Sequence, residues 1–433
     1  KLLHQAGIPQ AALQLVLGAG ELGAALVQQA FDGVVFTGST EVAKLIEKRL
    51  AEADNDPVLI AETGGQNVLV ADSSALPEQV VADVLSSAFD SAGQRCSALR
   101  VLLLQEEVAD HYYPMIRDAV KELALGDPRQ LATDIGPVID DEARKNLENH
   151  KEVMRKVAVN YSELPTPSGG HFVSPAIYLL DNLDQLQREV FGPILHIIRY
   201  RKDDLVNVLN QVNAKGYALT GGCHSRIRKH IELVENHLHC GNFYINRNIV
   251  GAVVGVQPFG GHGLSGTGPK AGGEFYLQRL TKTPRFYSEF ADADNLAKTK
   301  PRLESITGED NTLAYLPCEV AILNGELTQA QAAAEKLLAN GFSVLVEPSH
   351  PLAKAAKAGI RVATTLDSCQ KGIYLAPLAQ AQRQWLAANS RAIFKCFDWQ
   401  TVQDLLPLYD EFSRSYNTTA AGGNTSLMAA QEE

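Results

Sequence analysis

The stretch GVVFTGSTEVAKLIEKRL, residues 33–50, joins an apolar run to an amphipathic helical pattern through one glycine turn. The run at 33–38 predicts a buried strand, and residues 42–53 predict a helix with one apolar face. A strand that turns directly into a helix is the unit of parallel α/β sheets. Thr37, Gly38 and Ser39 occupy the turn, where the free N–H groups of a helix start favour a phosphate, although a plain helix cap is the alternative.

The same alternation continues outward from this stretch. Strands that alternate with helices indicate a mostly parallel sheet covered on both faces. Apolar runs predict strands at 57–62, 67–72, 100–105 and 193–200, and amphipathic segments predict helices at 77–92, 108–123 and 203–214.

A second, smaller α/β block follows a polar stretch at 281–311, which predicts a linker or an arm packed on a neighbouring surface. We call residues 312–433 the C-terminal block. From Thr401 its tail is predicted as a helix that ends in NTTAAGGNTSLM (417–428). Strands are predicted at 319–325, 342–348, 359–364, 372–377 and 391–397, and a helix at 328–339.

Composition excludes several classes of function. The 433 residues carry a net charge of −11, which argues against a nucleic-acid surface. No apolar run reaches the roughly 18 residues that a membrane span needs. The six cysteines show no metal-ligand spacing, so we expect no metal and a reducing compartment, the cytoplasm. Because the chain starts at Lys1 without Met, we expect further sequence upstream.

Two residues are candidates for catalysis. Cys96 follows a Gly-Gln-Arg turn, and a thiolate is a good nucleophile where a cation or backbone N–H groups lower its pKa. A lone cysteine is more often structural. Glu62 ends a predicted strand just before a Gly-Gly turn, where a buried carboxylate can act as a general base. A turn cap is the equal alternative for Glu62.

Two further stretches are candidates for binding. REVFGPI (188–194) places Glu189 and Phe191 before a Gly-Pro turn. PFGGHGLSGTGPKAGG, residues 258–273, is called here the glycine-rich loop. So many glycines expose backbone N–H groups and permit close approach to an anionic group. Irregular connections are the alternative for both stretches.

LGAGELG (17–23) matches the G-x-G-x-x-G dinucleotide fingerprint through Gly18, Gly20 and Gly23. The fingerprint requires a strand before it, a helix after it and an acidic residue about 20 residues later. A strand at 15–17 and a helix at 23–30 fit the pattern, but the acidic residue is not clear. We therefore favour an ordinary strand-turn-helix junction over a Rossmann site.

In their order and spacing, FTGSTEV, ETGGQN, GQRC, REVFGP and PFGGHGLSG resemble the aldehyde dehydrogenase superfamily over roughly residues 1–285. AETGGQN and the glycine-rich loop are similar to the glutamate-γ-semialdehyde dehydrogenase part of the bifunctional proline utilization A family. The C-terminal block and its tail resemble that family's extra C-terminal domain. The resemblance implies an α/β fold with the remainder of an NAD-binding domain (1–61), a catalytic domain (62–280), a linker or arm (281–311) and a small α/β domain (312–433).

The resemblance also implies roles for individual residues. Cys96 would attack the aldehyde, and Glu62 would activate the water that hydrolyses the resulting thioester. The site residues implied for NAD are Gly20 at the adenine end, Thr37, Gly38 and Ser39 at the pyrophosphate, and Glu189 and Phe191 at the nicotinamide ribose. Those implied for the substrate are Ser97, Gly272 and Gly273 at its α-carboxylate and Phe259 along its aliphatic middle.

The reaction implied is NAD-dependent oxidation of L-glutamate γ-semialdehyde to L-glutamate, the second step of proline catabolism. FAD and a proline dehydrogenase domain are expected only upstream in the same polypeptide, which would be cytoplasmic, or peripheral to the inner membrane through that part, and homo-oligomeric. The family's oxyanion Asn and adenosine-ribose Lys lie upstream of the matched part. Two alternatives stay open: a reductive relative that acts on an acyl phosphate, against which Glu62 argues, and a non-catalytic portion that serves oligomerisation and covers a channel.

Overall fold

The computed structural model describes residues 1–281, 301–303, 306–355, 358–402 and 404–419. The chain begins with two short helices and a two-stranded parallel sheet. These elements are α1 (Leu2–Gln5), α2 (Gly20–Leu26), β1 (Gly33–Thr37), α3 (Thr40–Leu50) and β2 (Val58–Glu62). In the register of β1 and β2, Thr37 lies opposite Glu62, so the turn after β1 is placed beside that carboxylate.

The predicted strand at residues 15–17 is wrong, because the chain there is irregular and α2 begins at Gly20. Leu15 and Leu17 are more than four-fifths exposed. An isolated apolar triplet forms a strand only where a neighbouring strand can pair with it, and none of the described residues does so. The fingerprint therefore lacks the strand that a Rossmann site requires.

The middle of the chain supplies most of a large sheet and its covering helices. It contains β3 (Asn67–Ala71), α4 (Pro77–Phe89), β4 (Leu99–Gln105), α5 (Glu106–Lys121), α6 (Asp141–Val157), β5 (Asn160–Glu163), β6 (Ala176–Leu180), β7 (Ile194–Tyr200), α7 (Leu205–Ala214), β8 (Tyr217–Ala218), β9 (Thr220–His224), α8 (Arg228–His237), β10 (Asn242–Ile245), β11 (His262–Gly263) and α9 (Phe275–Arg279).

The remaining elements belong to the last third of the chain. They are β12 (Glu309–Leu316), β13 (Glu319–Ile322), α10 (Leu327–Ala339), β14 (Ser343–Val346), β15 (Ile360–Val362), β16 (Lys371–Tyr374), α11 (Gln380–Asn389), β17 (Lys395–Asp398) and β18 (Asp410–Asn417). The strands β13 to β17 overlap the predicted runs, with β16 and β17 each extending one residue beyond them, whereas α11 forms where the sequence pattern predicts no element.

Among the described residues, nine strands form the main sheet in the order β12-β18-β10-β9-β3-β4-β7-β6-β5. Its inner pairs are parallel, and only the β12–β18 and β5–β6 pairs are antiparallel. Every residue of the inner strand β4 is buried, because helices cover both faces of the sheet. Five strands form a second, wholly parallel sheet in the order β15-β14-β13-β16-β17.

The predicted helix in the tail from Thr401 is wrong, because residues 410–417 form β18 between β10 and β12. A strand whose partners precede it by more than 90 residues leaves no signal in its own pattern. The motif at 417–428 lies outside the described residues beyond 419.

The division into domains at residues 61, 280 and 311 stays a prediction, although β12 begins at Glu309, within the predicted linker. Among the described residues, none of the helices has the length and apolar character of a membrane span.

We expect Leu103→Ala to lower the free energy of unfolding by about 2–5 kcal/mol, because the side chain is fully buried in β4 and its loss leaves a cavity. Urea denaturation measures the change. Val153→Ala is the control, since Val153 is 52% exposed on α6 and should change stability by only about 0.5 kcal/mol. An equal decrease in the free energy of unfolding in the two variants would contradict the burial of Leu103 in the core.

Candidate active site

The candidate site lies where the carboxyl end of β2 meets the amino ends of β3 and β4. Glu62 ends β2, and Asn67 begins β3 after the Gly64-Gly65 turn. Cys96 lies in a turn three residues before β4. The Asn67 side-chain amide donates to the carbonyl oxygens of Cys96 and Ala98 at 2.7 and 2.8 Å, so the start of β3 holds the cysteine in place.

The turn that carries Cys96, residues 91–98, has an unusual backbone. Ser91, Ala92 and Gly93 all have positive φ angles, of 56, 54 and 63°. Side chains disfavour this left-handed region, so the conformation requires support from elsewhere. A Cβ on Gly93 would lie 2.2 Å from the Gly192 carbonyl oxygen, so only glycine lets this turn approach the Gly-Pro turn so closely.

The support comes from the fully buried guanidinium of Arg100 on β4. Its Nη1 donates to the Gly93 carbonyl oxygen at 2.7 Å, and its Nη2 donates to the Arg95 carbonyl oxygen at 3.1 Å. Nη2 also lies 3.3 Å from Oε1 of Glu189. One cation therefore joins the turn of Cys96 to the segment that contains Glu189.

The surroundings of Cys96 favour the thiol over the thiolate. Burial raises the pKa of Cys96, and the nearby carboxylates of Glu189 and Glu62 raise it further. The backbone N–H groups of Ser97 and Cys96 itself oppose this effect. Cys96 must therefore pass its proton to a base, or lose a neighbouring negative charge, before it can act as a nucleophile.

Glu62 lies under the glycine-rich loop. A Cβ on Gly260 would lie 3.1 Å from Oε1 of Glu62, and one on Gly266 would lie 3.4 Å from Oε2. Burial raises the pKa of Glu62 to about 8, although Lys270 and then Lys395 lower it. Gly261 N–H approaches the carboxylate, but in the described part of the chain no hydrogen bond of ordinary geometry reaches either oxygen. A buried carboxyl group that titrates near neutrality is suited to accept a proton.

Five of the six residues predicted for the cofactor lie at one edge of the site. The turn of Thr37, Gly38 and Ser39 is exposed at the start of α3, and Gly38 N–H donates to the Glu62 carbonyl oxygen at 3.2 Å. Oγ of Ser39 accepts from Val42 N–H at 3.3 Å, so the helix cap, the alternative function for this serine, is formed.

Glu189 and Phe191 face this region from the other side. A Cβ on Gly64 would lie 1.6 Å from Oε2 of Glu189, so the carboxylate rests directly on that glycine. The Phe191 ring is 43% exposed, and the Arg100 guanidinium lies 5.2 Å from its centroid. The sixth residue, Gly20, opens α2, and an added Cβ there would meet none of the described atoms within 4 Å.

The residues predicted for the substrate divide between two elements. Ser97 is buried beside Cys96, and its carbonyl oxygen accepts from Oγ1 of Thr220 at 3.2 Å. Phe259 exchanges two backbone hydrogen bonds with Ala271, of 3.0 and 2.8 Å, which close the glycine-rich loop. Gly272 is exposed with a φ of +75°, and a Cβ on Gly273 would lie 2.9 Å from Oε1 of Glu411.

Several residues that hold the site together lie outside the motifs that the sequence pattern singles out. Arg100 gave a signal, because it is a charged residue within an apolar strand run. Gln370 gave none, although its Oε1 accepts from Gly263 N–H at 2.8 Å and its Nε2 donates to the Gly266 carbonyl oxygen at 2.7 Å. In the part of the chain that the structure describes, no cluster of His, Cys, Asp or Glu side chains is arranged to hold a metal ion.

Comparisons with known proteins place this arrangement in a family. Residues 1–285 match the profile of the aldehyde dehydrogenase family, and the chain belongs to that family. The resemblance found in the sequence and the α/β fold that it implied are therefore confirmed.

Over nearly its whole length the chain is similar to the bifunctional protein PutA. It is 42% identical to PutA of Rhizobium meliloti over 99% of this chain, but spans only 40% of that relative. The structure of PutA from Corynebacterium freiburgense matches with a TM-score of 0.77 and 25% identity, over 96% of this chain and 45% of that one.

A shorter similarity covers 64% of this chain. The 1-pyrroline-5-carboxylate dehydrogenase of Geobacillus thermodenitrificans is 34% identical there, over 55% of its own length. The Thermus 1-pyrroline-5-carboxylate dehydrogenase, solved with bound NAD, matches 64% of this chain and 55% of its own, with a TM-score of 0.59 and 30% identity.

We expect Arg100→Met to lower the free energy of unfolding by about 3–5 kcal/mol, because it leaves buried carbonyl groups and Glu189 without their cation. Chemical denaturation gives the value. Arg155→Met is the matched control, since Arg155 pairs with Glu163 at the surface and such pairs contribute at most about 1 kcal/mol. A similar decrease in the free energy of unfolding in both variants would show that the buried contacts of Arg100 stabilise the fold no more than a surface ion pair does.

Proposed function

We propose that this chain carries out the NAD-dependent oxidation of L-glutamate γ-semialdehyde to L-glutamate, the second step of proline catabolism. The observation that carries the proposal is the convergence of Cys96, from the turn before β4, and Glu62, from the end of β2, in one site closed by the glycine-rich loop. Similarity to 1-pyrroline-5-carboxylate dehydrogenases over 64% of the chain supports the choice of substrate.

The roles follow from the chemistry of the two side chains. Cys96 loses its thiol proton to solvent, and its Sγ then attacks the aldehyde carbon to form a thiohemiacetal. The oxyanion of this intermediate accepts a hydrogen bond from the Cys96 backbone N–H. NAD held by Thr37, Gly38, Ser39, Glu189 and Phe191 would supply the hydride acceptor for oxidation of this intermediate to a thioester on Cys96. Glu62 takes a proton from the water that attacks the thioester carbon, and the Cys96 thiolate leaves with release of the acid. A hydrolytic base beside the nucleophile favours oxidation over reduction of an acyl phosphate.

The residues at the edge of the site fit the cofactor. The exposed start of α3 leaves room for a pyrophosphate at Thr37, Gly38 and Ser39, where the positive end of the helix dipole favours negative charge. Glu189 would accept hydrogen bonds from the nicotinamide ribose beside the exposed ring of Phe191. The open space at Gly20 suits the adenine end.

The substrate would be held at the end away from its aldehyde. The Ser97 hydroxyl and the backbone N–H groups of Gly272 and Gly273 would bind the α-carboxylate, since hydrogen bonds to a charged acceptor are strong. Phe259 would contact the aliphatic middle of the substrate.

Since the chain spans 40% of its PutA relative, we also propose an upstream proline dehydrogenase domain that holds FAD. It would belong to the same polypeptide, which we propose to be cytoplasmic and homo-oligomeric. We propose that this chain contains the remainder of the NAD-binding domain (1–61), the catalytic domain (62–280), a linker or arm (281–311) and a small α/β domain (312–433).

The proposal is tested by NADH formation from NAD and the semialdehyde, using the longest polypeptide that the reading frame encodes. We expect Cys96→Ala to abolish NADH formation, because no thiohemiacetal can form. Glu62→Gln should release one burst of NADH per site and then stall at the thioester. Cys369→Ala, which changes a buried cysteine of the C-terminal block, should retain activity. A folded wild type without activity would instead favour the non-catalytic role in oligomerisation and channel covering.

The pH dependence of hydrolysis follows from the raised pKa of Glu62, about 8. The base works only when ionised, so the turnover rate should rise with pH and level off above about pH 8. Stopped-flow measurement of turnover after the burst, from pH 6 to 9.5, checks this. A flat rate in the wild type over that range would argue against Glu62 as the base.

A further inference from the structure

Lys270 is a buried ammonium group within the glycine-rich loop, and the reaction as proposed gives it no role. The residue is 2% exposed. Its Nζ donates to Oδ1 of Asn242 at 2.8 Å and to the Gly260 carbonyl oxygen at 2.5 Å. Two hydrogen bonds therefore fix the charge at one point between the amino end of β10 and the loop.

This point lies behind the carboxylate of Glu62. Gly260, whose carbonyl oxygen accepts from Lys270, is the residue whose added Cβ would lie 3.1 Å from Oε1 of Glu62. The Gly260 N–H donates to the same Oδ1 of Asn242 at 3.2 Å. Lys270 and Asn242 therefore hold the backbone of Gly260 against Glu62.

Lys270 is itself anchored from the C-terminal block. Its backbone N–H donates to Oε2 of Glu411 on β18 at 2.8 Å, and Oε1 of Glu411 is buried without a hydrogen bond among the described residues. The strand β18 thus supplies the residue, Glu411, that holds the backbone of Lys270 in place. Among the neighbouring carboxylates, Glu411 and then Glu62 most favour the charged form of Lys270.

Other titratable groups surround Lys270 and Glu62, from the elements that pack against them. Burial lowers the pKa of Lys270 to about 8, and Glu411 and then Glu62 counteract the effect. Among the charged groups described, Lys270 has the largest effect on the pKa of Glu62, which it lowers. The remaining titratable groups that face Glu62 or Lys270 are Lys395, Cys96, Cys240, His262, Tyr276 and Asp410.

We propose that Lys270 is a positioning residue for thioester hydrolysis: its fixed ammonium holds the glycine-rich loop over Glu62 and supplies the positive charge that favours the ionised form of this base. A neutral side chain would leave the Glu62 carboxylate buried with less compensation, and protonated Glu62 cannot accept a proton from water. This role rests on the proposed function, because it assigns a support to the base of that reaction.

The experiment compares the acid limb of the turnover-versus-pH curve in three variants, using the same full-length polypeptide. Lys270→Gln keeps a hydrogen-bonding group but loses the charge, and should move the acid limb about one pH unit or more to higher pH. Turnover on the acid side should fall roughly tenfold for each unit, and the KM for NAD should stay unchanged. Lys270→Arg keeps the charge and should keep the wild-type limb.

Asn242→Asp provides a second variant that leaves the lysine in place. The added carboxylate pairs with the Lys270 ammonium and adds negative charge near Glu62, so it should also move the limb to higher pH. Lys151→Gln is the matched control, since Lys151 is equally buried but donates to Ser174 and faces Glu148 in another part of the fold. Its limb should stay at the wild-type pH.

An unchanged acid limb in Lys270→Gln or in Asn242→Asp overturns the role of Lys270, as does a shift in Lys270→Arg that equals the shift in Lys270→Gln. These results all require an active wild type, whereas failure of the proposed function appears as a wild type that forms no NADH. If neither Lys270 variant folds, the Asn242→Asp limb alone decides between the outcomes.

Discussion

The buried guanidinium of Arg100 is the interaction on which the candidate site depends. It joins the left-handed turn that carries Cys96 to the segment of Glu189, through carbonyl oxygens of Gly93 and Arg95 and the Glu189 carboxylate. A charge removed from water requires acceptors around it, so the carbonyl groups that accept from Nη1 and Nη2 are held in place by the need to solvate this ion. The strained turn at 91–93 persists because this network determines it.

The glycine-rich loop is held in a comparable way, but by residues that lie far along the chain. Gln370 binds the loop at Gly263 and Gly266, and Glu411 binds it at Lys270. Lys395 donates to the Thr267 carbonyl oxygen. The C-terminal block therefore supports the loop that covers Glu62, in addition to completing the main sheet through β18. A loop rich in glycine loses much conformational entropy when it is ordered, and these contacts offset that cost.

Much of the fold was predictable from local pattern. The runs at 67–72, 100–105 and 193–200 became β3, β4 and β7, because parallel strands buried on both faces are continuously apolar. The tail and the start of the chain were not predictable in this way. β18 forms because β10 and β12 present open edges to it, and residues 15–17 remain irregular because no described strand pairs with them.

The sequence by itself determined the family, the α/β class and the identity of the candidate residues, because their types and spacing follow from the chemistry and the turns that they serve. Only the tertiary structure decided which of them meet. It brought Glu62, Cys96 and Glu189 together and set Lys270, Gln370 and Glu411 around the loop. Burial and neighbouring charge, which raise the pKa values of Cys96 and Glu62, arise from contacts between distant segments, and no local pattern encodes them.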